Sequence, residues 1–234
     1  MTENPTKRSK RILVLHGMRL SADMQRELMS DVLESSSAQN WEWTFLDAPN
    51  EASGPVPPIT RQRWPQGRYC EWWNATAQPD GTVEYVGLER TLDFMREVLS
   101  DGAPYDVLAG YSQGGTLVTA LTALAERTDF LPADRRWRTA LLFNSGVAPR
   151  DPELLPLLAP GPLQTPSIHV LGGPSDVLYE EQKAMLEHWA ATGRTVLEHA
   201  EGHVPPSLGA SAEVLAALGD ALESGTRETR SRTN

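Results

Sequence analysis

Cysteine is nearly absent: Cys70 is the one example in 234 residues. An internal disulfide is therefore excluded, and so is a zinc site built on cysteine pairs. No H-E-x-x-H run occurs either, so the helix-borne zinc pattern is missing and no metal is expected. The glycines never fall into G-x-G-x-x-G, the loop that would cradle a dinucleotide. No stretch of about 18 apolar residues exists, which removes the usual signature of a membrane-spanning helix. Residues 1–10 are polar and basic and lack the apolar core of a secretion signal. Together with the lone cysteine, this leads to the expectation of a soluble, cytoplasmic protein. Basic charge is also in short supply: 21 Lys and Arg face 31 Asp and Glu, a net charge of −10. Residues 1–11 and 225–234 are themselves net basic, so the body between them is more acidic still. Such a body repels nucleic acid and anionic membranes, and neither is expected as a stable partner.

What is present is an alternation of short apolar runs with helical spacing. Strands are expected at Arg11–Leu15, Trp41–Leu46, Tyr105–Ala109, Thr139–Phe143, Ser167–Leu171 and Thr195–His199. Between them, Met24, Leu28 and Val32 recur at helical spacing, as do Leu88, Leu92, Met95 and Leu99, and then Val214, Leu218 and Leu222. Ser21 is placed to cap the first of these helices. Strands alternating with helices predict a mainly parallel six-stranded sheet covered on both faces, an α/β fold. The strict alternation in Trp41-Glu42-Trp43-Thr44-Phe45-Leu46 suits a strand near a sheet edge. One domain is expected over 11–224, with disordered basic tails at 1–10 and 225–234. Residues 48–87 are rich in Pro, Gly and aromatics, and are expected to be irregular: a lid or an aromatic insertion. Leu154-Leu155-Pro156-Leu157-Leu158 is either a second lid or a buried connection.

The run after Tyr105–Ala109 is Gly110-Tyr111-Ser112-Gln113-Gly114-Gly115, and Thr116-Leu117-Val118 continues it as an apolar helix. Strand, G-x-S-x-G, helix is the nucleophile elbow of an α/β-hydrolase. The chain must reverse so tightly at the serine that side chains two positions either side would collide, and Gly110 and Gly114 remove them. Ser112 then stands at a helix N-terminus, where developing negative charge is favoured.

A serine hydroxyl needs a histidine to take its proton and a carboxylate to orient that histidine. In this fold the chain order is serine, acid, histidine. His16 precedes the serine, His169 and His199 fall inside strands, and His188 lies on a helix. His203 follows the last strand within Glu201-Gly202-His203-Val204-Pro205, a tight loop suited to presenting a base. Asp176 follows Gly172-Gly173-Pro174-Ser175 directly after a strand; Asp129, Asp134 and Asp151 lack that placement. Oxyanion donors are expected from the backbone amides of Gln113 and Met18. His16, Gly17, Trp72 and Trp73 are the candidates for contacting substrate: His16-Gly17 lets the backbone approach closely, and the tryptophans would suit an apolar wall against an acyl chain. Cys70 sits beside no obvious base and competes poorly as a nucleophile.

These motifs, in this order, resemble the FSH-type serine hydrolases. The resemblance rests on Leu15-His16-Gly17, Trp72-Trp73, Gly87-Leu88-Glu89, the Ser112 elbow, Phe143-Asn144-Ser145-Gly146, the strand ending near Asp176, and Gly202-His203. It covers roughly residues 11–220. It implies Ser112, Asp176 and His203 as the triad. It implies esterase or thioesterase activity without a cofactor, on small-molecule esters or acyl thioesters, carrier-bound acyl chains included. Gly115 stands where an alanine is common in that family, and Pro205 follows the histidine sooner than usual. A small-molecule receptor and an acyltransferase are the alternatives on the same fold.

Overall fold

A computed structural model describes residues 9–35, 39–79, 82–146 and 149–228. Its centre is one sheet of six strands: β1 (Lys10–Leu15), β2 (Trp41–Leu46), β3 (Val107–Tyr111), β4 (Thr139–Phe143), β5 (Ser167–Leu171) and β6 (Arg194–Glu198). Their spatial order is β6-β5-β4-β3-β1-β2, and every neighbouring pair is parallel. The chain leaves β1 outward to β2, then returns on the other side of β1 as β3. The carboxyl ends of β1 and β3 therefore form the switch point of the sheet, where parallel α/β folds place their ligands.

The main helices that pack on this sheet are α1 (Ala22–Leu28), α2 (Leu88–Ser100), α3 (Gln113–Arg127), α4 (Tyr179–Met185) and α5 (Ala212–Glu228). Successive strand residues point to opposite faces, and β1 shows both sides of the core. Leu13 and Leu15 join Leu108, Ala140 and Leu142 against Leu88, Met95 and Leu99 of α2 and Leu117 and Leu121 of α3. Ile12 and Val14 join Ala109, Phe143 and Val170 against Met24 of α1 and Leu215, Leu218 and Leu222 of α5. Ser21 caps α1, its hydroxyl accepting from the Met24 amide at 3.3 Å. No helix of the described residues is long and apolar enough to cross a membrane.

Several boundaries move for physical reasons. β3 starts and ends two residues later than its apolar run suggested, because the ladder to β4 continues through Gly110↔Leu142 and Tyr111↔Phe143. β1 begins at Lys10, inside the expected tail: the ammonium pairs with Glu223 at 2.7 Å and lies over the Trp41 ring. At the other end, residues 225–228 continue α5 rather than fraying. The remaining tail residues, 1–8 and 229–234, lie outside the described residues.

Residues 48–87 hold more order than their composition suggests. Asn50–Glu51 pairs with Cys70–Glu71, Asn74–Ala77 pairs with Val83–Val86, and Pro58–Arg63 forms a short helix. Leu154 is buried, and Leu157 and Leu158 pack on the α2/α3 side of the core, so that segment is a packed connection.

Candidate active site

β3 delivers Ser112 at its carboxyl end, and α3 begins at the next residue. Ser112 has φ +51° and ψ −116°, a strained conformation for a residue with a side chain. The crossing explains both glycines. A Cβ on Gly110 would lie 2.3 Å from the Gly114 backbone, and one on Gly114 would lie 2.1 Å from the Leu15 carbonyl oxygen. The Ser112 amide donates to the Phe143 carbonyl at 2.9 Å, which ties the turn to the end of β4.

The loops after β5 and β6 bring two more groups to this point. His203 Nε2 lies 3.0 Å from Ser112 Oγ, and its Nδ1 lies 3.0 Å from both carboxylate oxygens of Asp176. Burial pushes the Asp176 carboxyl up. Hydrogen bonds from the Asn144 side chain (3.0 Å) and the Leu178 amide (2.9 Å), with the nearby His203, outweigh it and hold the group below the ordinary aspartate range. An ionised Asp176 fixes the Nδ1–H tautomer of His203 and leaves Nε2 free to accept from the serine hydroxyl. The Tyr111 hydroxyl donates to the His203 carbonyl at 2.6 Å, and its ring lies 5.5 Å from the imidazole.

The loop after β1 carries Met18 beside the elbow, and buried contacts hold it there. His16 Nδ1 faces the Gly17 carbonyl at 2.7 Å, while His16 Nε2 accepts from the Ala48 amide at 3.0 Å. That pattern requires a neutral ring, and burial pushes the imidazole down to about 4 against the smaller opposing effects of Gly17 and Asp47. Gln25 accepts from the Gly17 amide at 3.1 Å. The backbone N–H groups of Met18 and Gln113 donate to no other described residue. Two such donors beside a serine oxygen can stabilise a tetrahedral oxyanion.

Three residues expected to touch substrate lie elsewhere. His16, Trp72 and Trp73 are buried and sit behind the loops rather than in the cleft. Trp72 donates from Nε1 to the His16 carbonyl at 2.8 Å and stacks on the His16 ring. The Trp72 amide donates to Gln113 Oε1, and Gln113 Nε2 donates to the Trp73 carbonyl. The tryptophan pair therefore grips the Gln113 side chain and the β1 loop from behind. Aromatic bulk in an irregular segment reads equally well as wall or as core, and here it is core.

The cleft itself holds about 390 Å³ and opens on Ser112 and His203. Gly17, Met18, Leu20, Tyr111 and Leu28 of α1 line it. The short helix Pro58–Arg63 and Trp64 also wall the cleft, through Ile59, Thr60, Arg63 and the indole. Met18 is 43% exposed, Ile59 74% and Val204 39%, so apolar side chains rim the mouth. Sequence reasoning missed this helix, which is too short to show a period, and it missed Tyr111 and Asn144. An asparagine directly after a strand was the available signal for Asn144. Among the described residues, no group of three or more His, Cys, Asp or Glu is placed to hold a metal ion. Cys70 is buried, and burial pushes its thiol up.

A parallel sheet with a serine elbow at its switch point defines an α/β-hydrolase. The chain belongs to the serine hydrolase (FSH1) family, whose model matches residues 4–213. Among curated relatives, "Esterase OVCA2" of Bos taurus is 31% identical over 162 residues, covering 66% of each chain. "Esterase OVCA2" of Danio rerio is 28% identical over 218 residues, 84% of this chain and 90% of the relative. Among solved structures, acyl-protein thioesterase 2 of Zea mays superposes with a TM-score of 0.58 over 94% of this chain and 97% of its own, at 15% identity. That last likeness speaks for the fold.

Proposed function

We propose that this protein is a serine acyl hydrolase in which Ser112 is the nucleophile, His203 the general base and acid, and Asp176 the group that orients His203. His203 Nε2 takes the hydroxyl proton as Ser112 Oγ bonds to the substrate carbonyl carbon. The amides of Met18 and Gln113 hold the oxyanion. The carbon–oxygen or carbon–sulfur bond then breaks, and His203 passes its proton to the departing alcohol or thiol. Water, deprotonated by His203, attacks the acyl-enzyme; the free acid leaves and Ser112 regains its proton. Every proton has a station and no cofactor enters the scheme.

The observation that carries this reading is the unbroken hydrogen-bonded chain from Ser112 through His203 to Asp176 at the mouth of an apolar cleft. A cleft of about 390 Å³ is at the small end of the usual range for ligand pockets, which favours short to medium acyl groups. The test is a panel of p-nitrophenyl esters and acyl thioesters of graded length, with fluorophosphonate labelling in parallel. Turnover and labelling are expected in the parent protein. In Ser112→Ala, labelling should vanish and turnover should fall by roughly 10³-fold or more with the fold retained. Unchanged turnover in that variant rejects the reading. Inertness to the probe alongside reversible ligand binding favours a receptor.

A further inference from the structure

The loops bearing Ser112, Asp176 and His203 meet at a fourth residue that none of the expected roles includes. Asn144 follows β4 directly, is fully buried and has φ +48°. Its Nδ2 donates to Asp176 Oδ2 at 3.0 Å and to the Gly202 carbonyl at 2.9 Å. Gly202 immediately precedes His203. The peptide carbonyl just before Asn144, that of Phe143, accepts from the Ser112 amide at 2.9 Å. The Asn144 side chain thus reaches the acid loop through one N–H and the base loop through the other, while the carbonyl of the residue before it holds the nucleophile loop.

The surroundings are shaped for this contact. A Cβ on Gly172 would lie 2.5 Å from Asn144 Nδ2, 2.4 Å from Asp176 Oδ2 and 2.3 Å from the Gly202 carbonyl oxygen. Gly172 leaves the space in which the three polar groups meet, and its carbonyl accepts from the Gly202 amide at 3.0 Å. The amide orientation is set by its partners: both are acceptors, so the nitrogen must face them. Asn144 Oδ1, by contrast, is buried without a hydrogen-bond partner among the described residues. An unpaired buried acceptor destabilises a fold, and stability alone would be better served by an apolar side chain. The backbone adds a second cost, because a left-handed φ is unfavourable for residues with a side chain, though asparagine tolerates it better than most. What these two costs sustain is a pair of N–H groups aimed at the acid and at the peptide beside the base.

Resting on the reading of Ser112, His203 and Asp176 as the reacting set, we propose that Asn144 is a positioning residue that holds the acid and base loops in register with the nucleophile. It touches no substrate. It acts by keeping Asp176 ionised and in plane with His203, and by fixing the start of the His203 loop.

The discriminating variant is Asn144→Gly. Glycine accepts the left-handed backbone without cost and removes only the amide side chain. If Asn144 serves merely as a turn residue, Asn144→Gly keeps full activity. If the amide positions the loops, kcat falls by roughly 10- to 100-fold, the range expected for a lost hydrogen bond to a charged group, while KM changes little. Asn144→Asp, which places a second carboxylate against Asp176, should lower kcat further, with KM again little changed. Thermal unfolding and the rate of fluorophosphonate labelling are measured on each variant, so that lost fold and lost reactivity are separated. Ser112→Ala is run alongside. If Ser112→Ala is inactive while Asn144→Gly matches the parent in kcat and labelling rate, the positioning role is rejected and the serine mechanism stands. If Ser112→Ala remains active, the mechanism itself fails.

Discussion

The hydroxyl of Tyr111 donates to the backbone carbonyl of His203 at 2.6 Å, across 92 residues of sequence. Tyr111 immediately precedes Ser112, the proposed nucleophile, so the last strand position braces the loop that carries His203, the proposed base. The same ring closes over the β1 loop: a Cβ on Gly17 would lie 2.8 Å from it. Tyr111→Phe deletes the hydroxyl and keeps the ring. A neutral hydrogen bond contributes about 1 kcal/mol, so kcat is expected to fall by up to roughly fivefold and Tm to drop by no more than about 4 °C. Steady-state kinetics beside thermal unfolding checks this; a wild-type kcat would show that the loop needs no such brace.

Gly115 and Ser145 occupy one space. A Cβ on Gly115 would lie 2.4 Å from Ser145 Cβ and 2.5 Å from Ser145 Oγ. Both residues are buried, and the Ser145 hydroxyl has no hydrogen-bond partner among the described residues. Gly115→Ala alone should therefore destabilise by roughly 1–3 kcal/mol through overpacking. Adding Ser145→Gly removes the obstructing atoms and should recover much of that loss. A double-mutant cycle in denaturant measures the coupling, and strict additivity would contradict the shared-space argument.

The frame of the molecule was legible because its signals are local. Six short apolar runs became six strands, and the alternation in Trp41–Leu46 marked what is indeed an edge strand. Gly110 and Gly114 announce the elbow because a backbone crossing leaves no room for any other residue. Placement of Asp176 and His203 after successive strands needed only the rule that parallel sheets gather their loops at one edge. The rest depends on contacts that leave no periodic trace. Trp72 and Trp73 looked like a wall, yet their indole and backbone groups serve Gln113 and His16 from behind. The actual wall, Pro58–Arg63, is less than two helical turns and follows Pro55-Val56-Pro57, so it reads as loop. Asn144 reads as a turn residue, because its two acceptors come from loops 32 and 58 positions away.

That wall is tied to the body by one exposed carboxylate. Glu27 Oε1 accepts from Arg63 Nε at 3.0 Å and Nη2 at 2.8 Å, and Glu27 Oε2 accepts from Trp64 Nε1 at 2.6 Å. The Trp64 and Arg63 hydrogen bonds hold the Glu27 carboxyl below the usual glutamate range. Exposed ion pairs add little to global stability, so Glu27→Ala should leave Tm within about a degree or two. The cleft, however, loses the tether of its outer wall. KM for the best ester substrate is expected to rise severalfold with kcat little changed, because the reacting groups are untouched. High salt should produce part of the same KM increase in the parent protein and less in the variant. A chain-length panel in both proteins checks this, and identical KM values at all lengths would show that the wall needs no such tie.

Acid should weaken the fold before its carboxylates titrate. Burial pushes His16 down to about 4 and His169 down to about 3, the latter with help from Arg194. Both rings would titrate near 6.5 in the unfolded chain. Between these values the unfolded state binds protons that the folded state refuses, so stability falls as pH drops. Above about pH 6.5 the contribution of both groups is fully present. From there downward each costs about 1.4 kcal/mol per pH unit, so His16 alone removes on the order of 3 kcal/mol by pH 4. Burial also lowers His188 and His199, which act in the same direction. Asp176 and Glu201 are depressed carboxylates, and what they contribute is lost only below the ordinary carboxylate range. Tm measured at half-unit steps should therefore decline steadily from pH 6.5 to 4.5. His169 is remote from Ser112, and its imidazole bonds to Ser167 Oγ at 3.0 Å. His169→Gln keeps a polar partner for that hydroxyl while abolishing the titration, and it should flatten the slope without changing activity at pH 8. A parent Tm that stays level across the window would mean that the two buried rings take up protons in the fold as readily as in the unfolded chain, and that the Ala48 amide does not donate to His16.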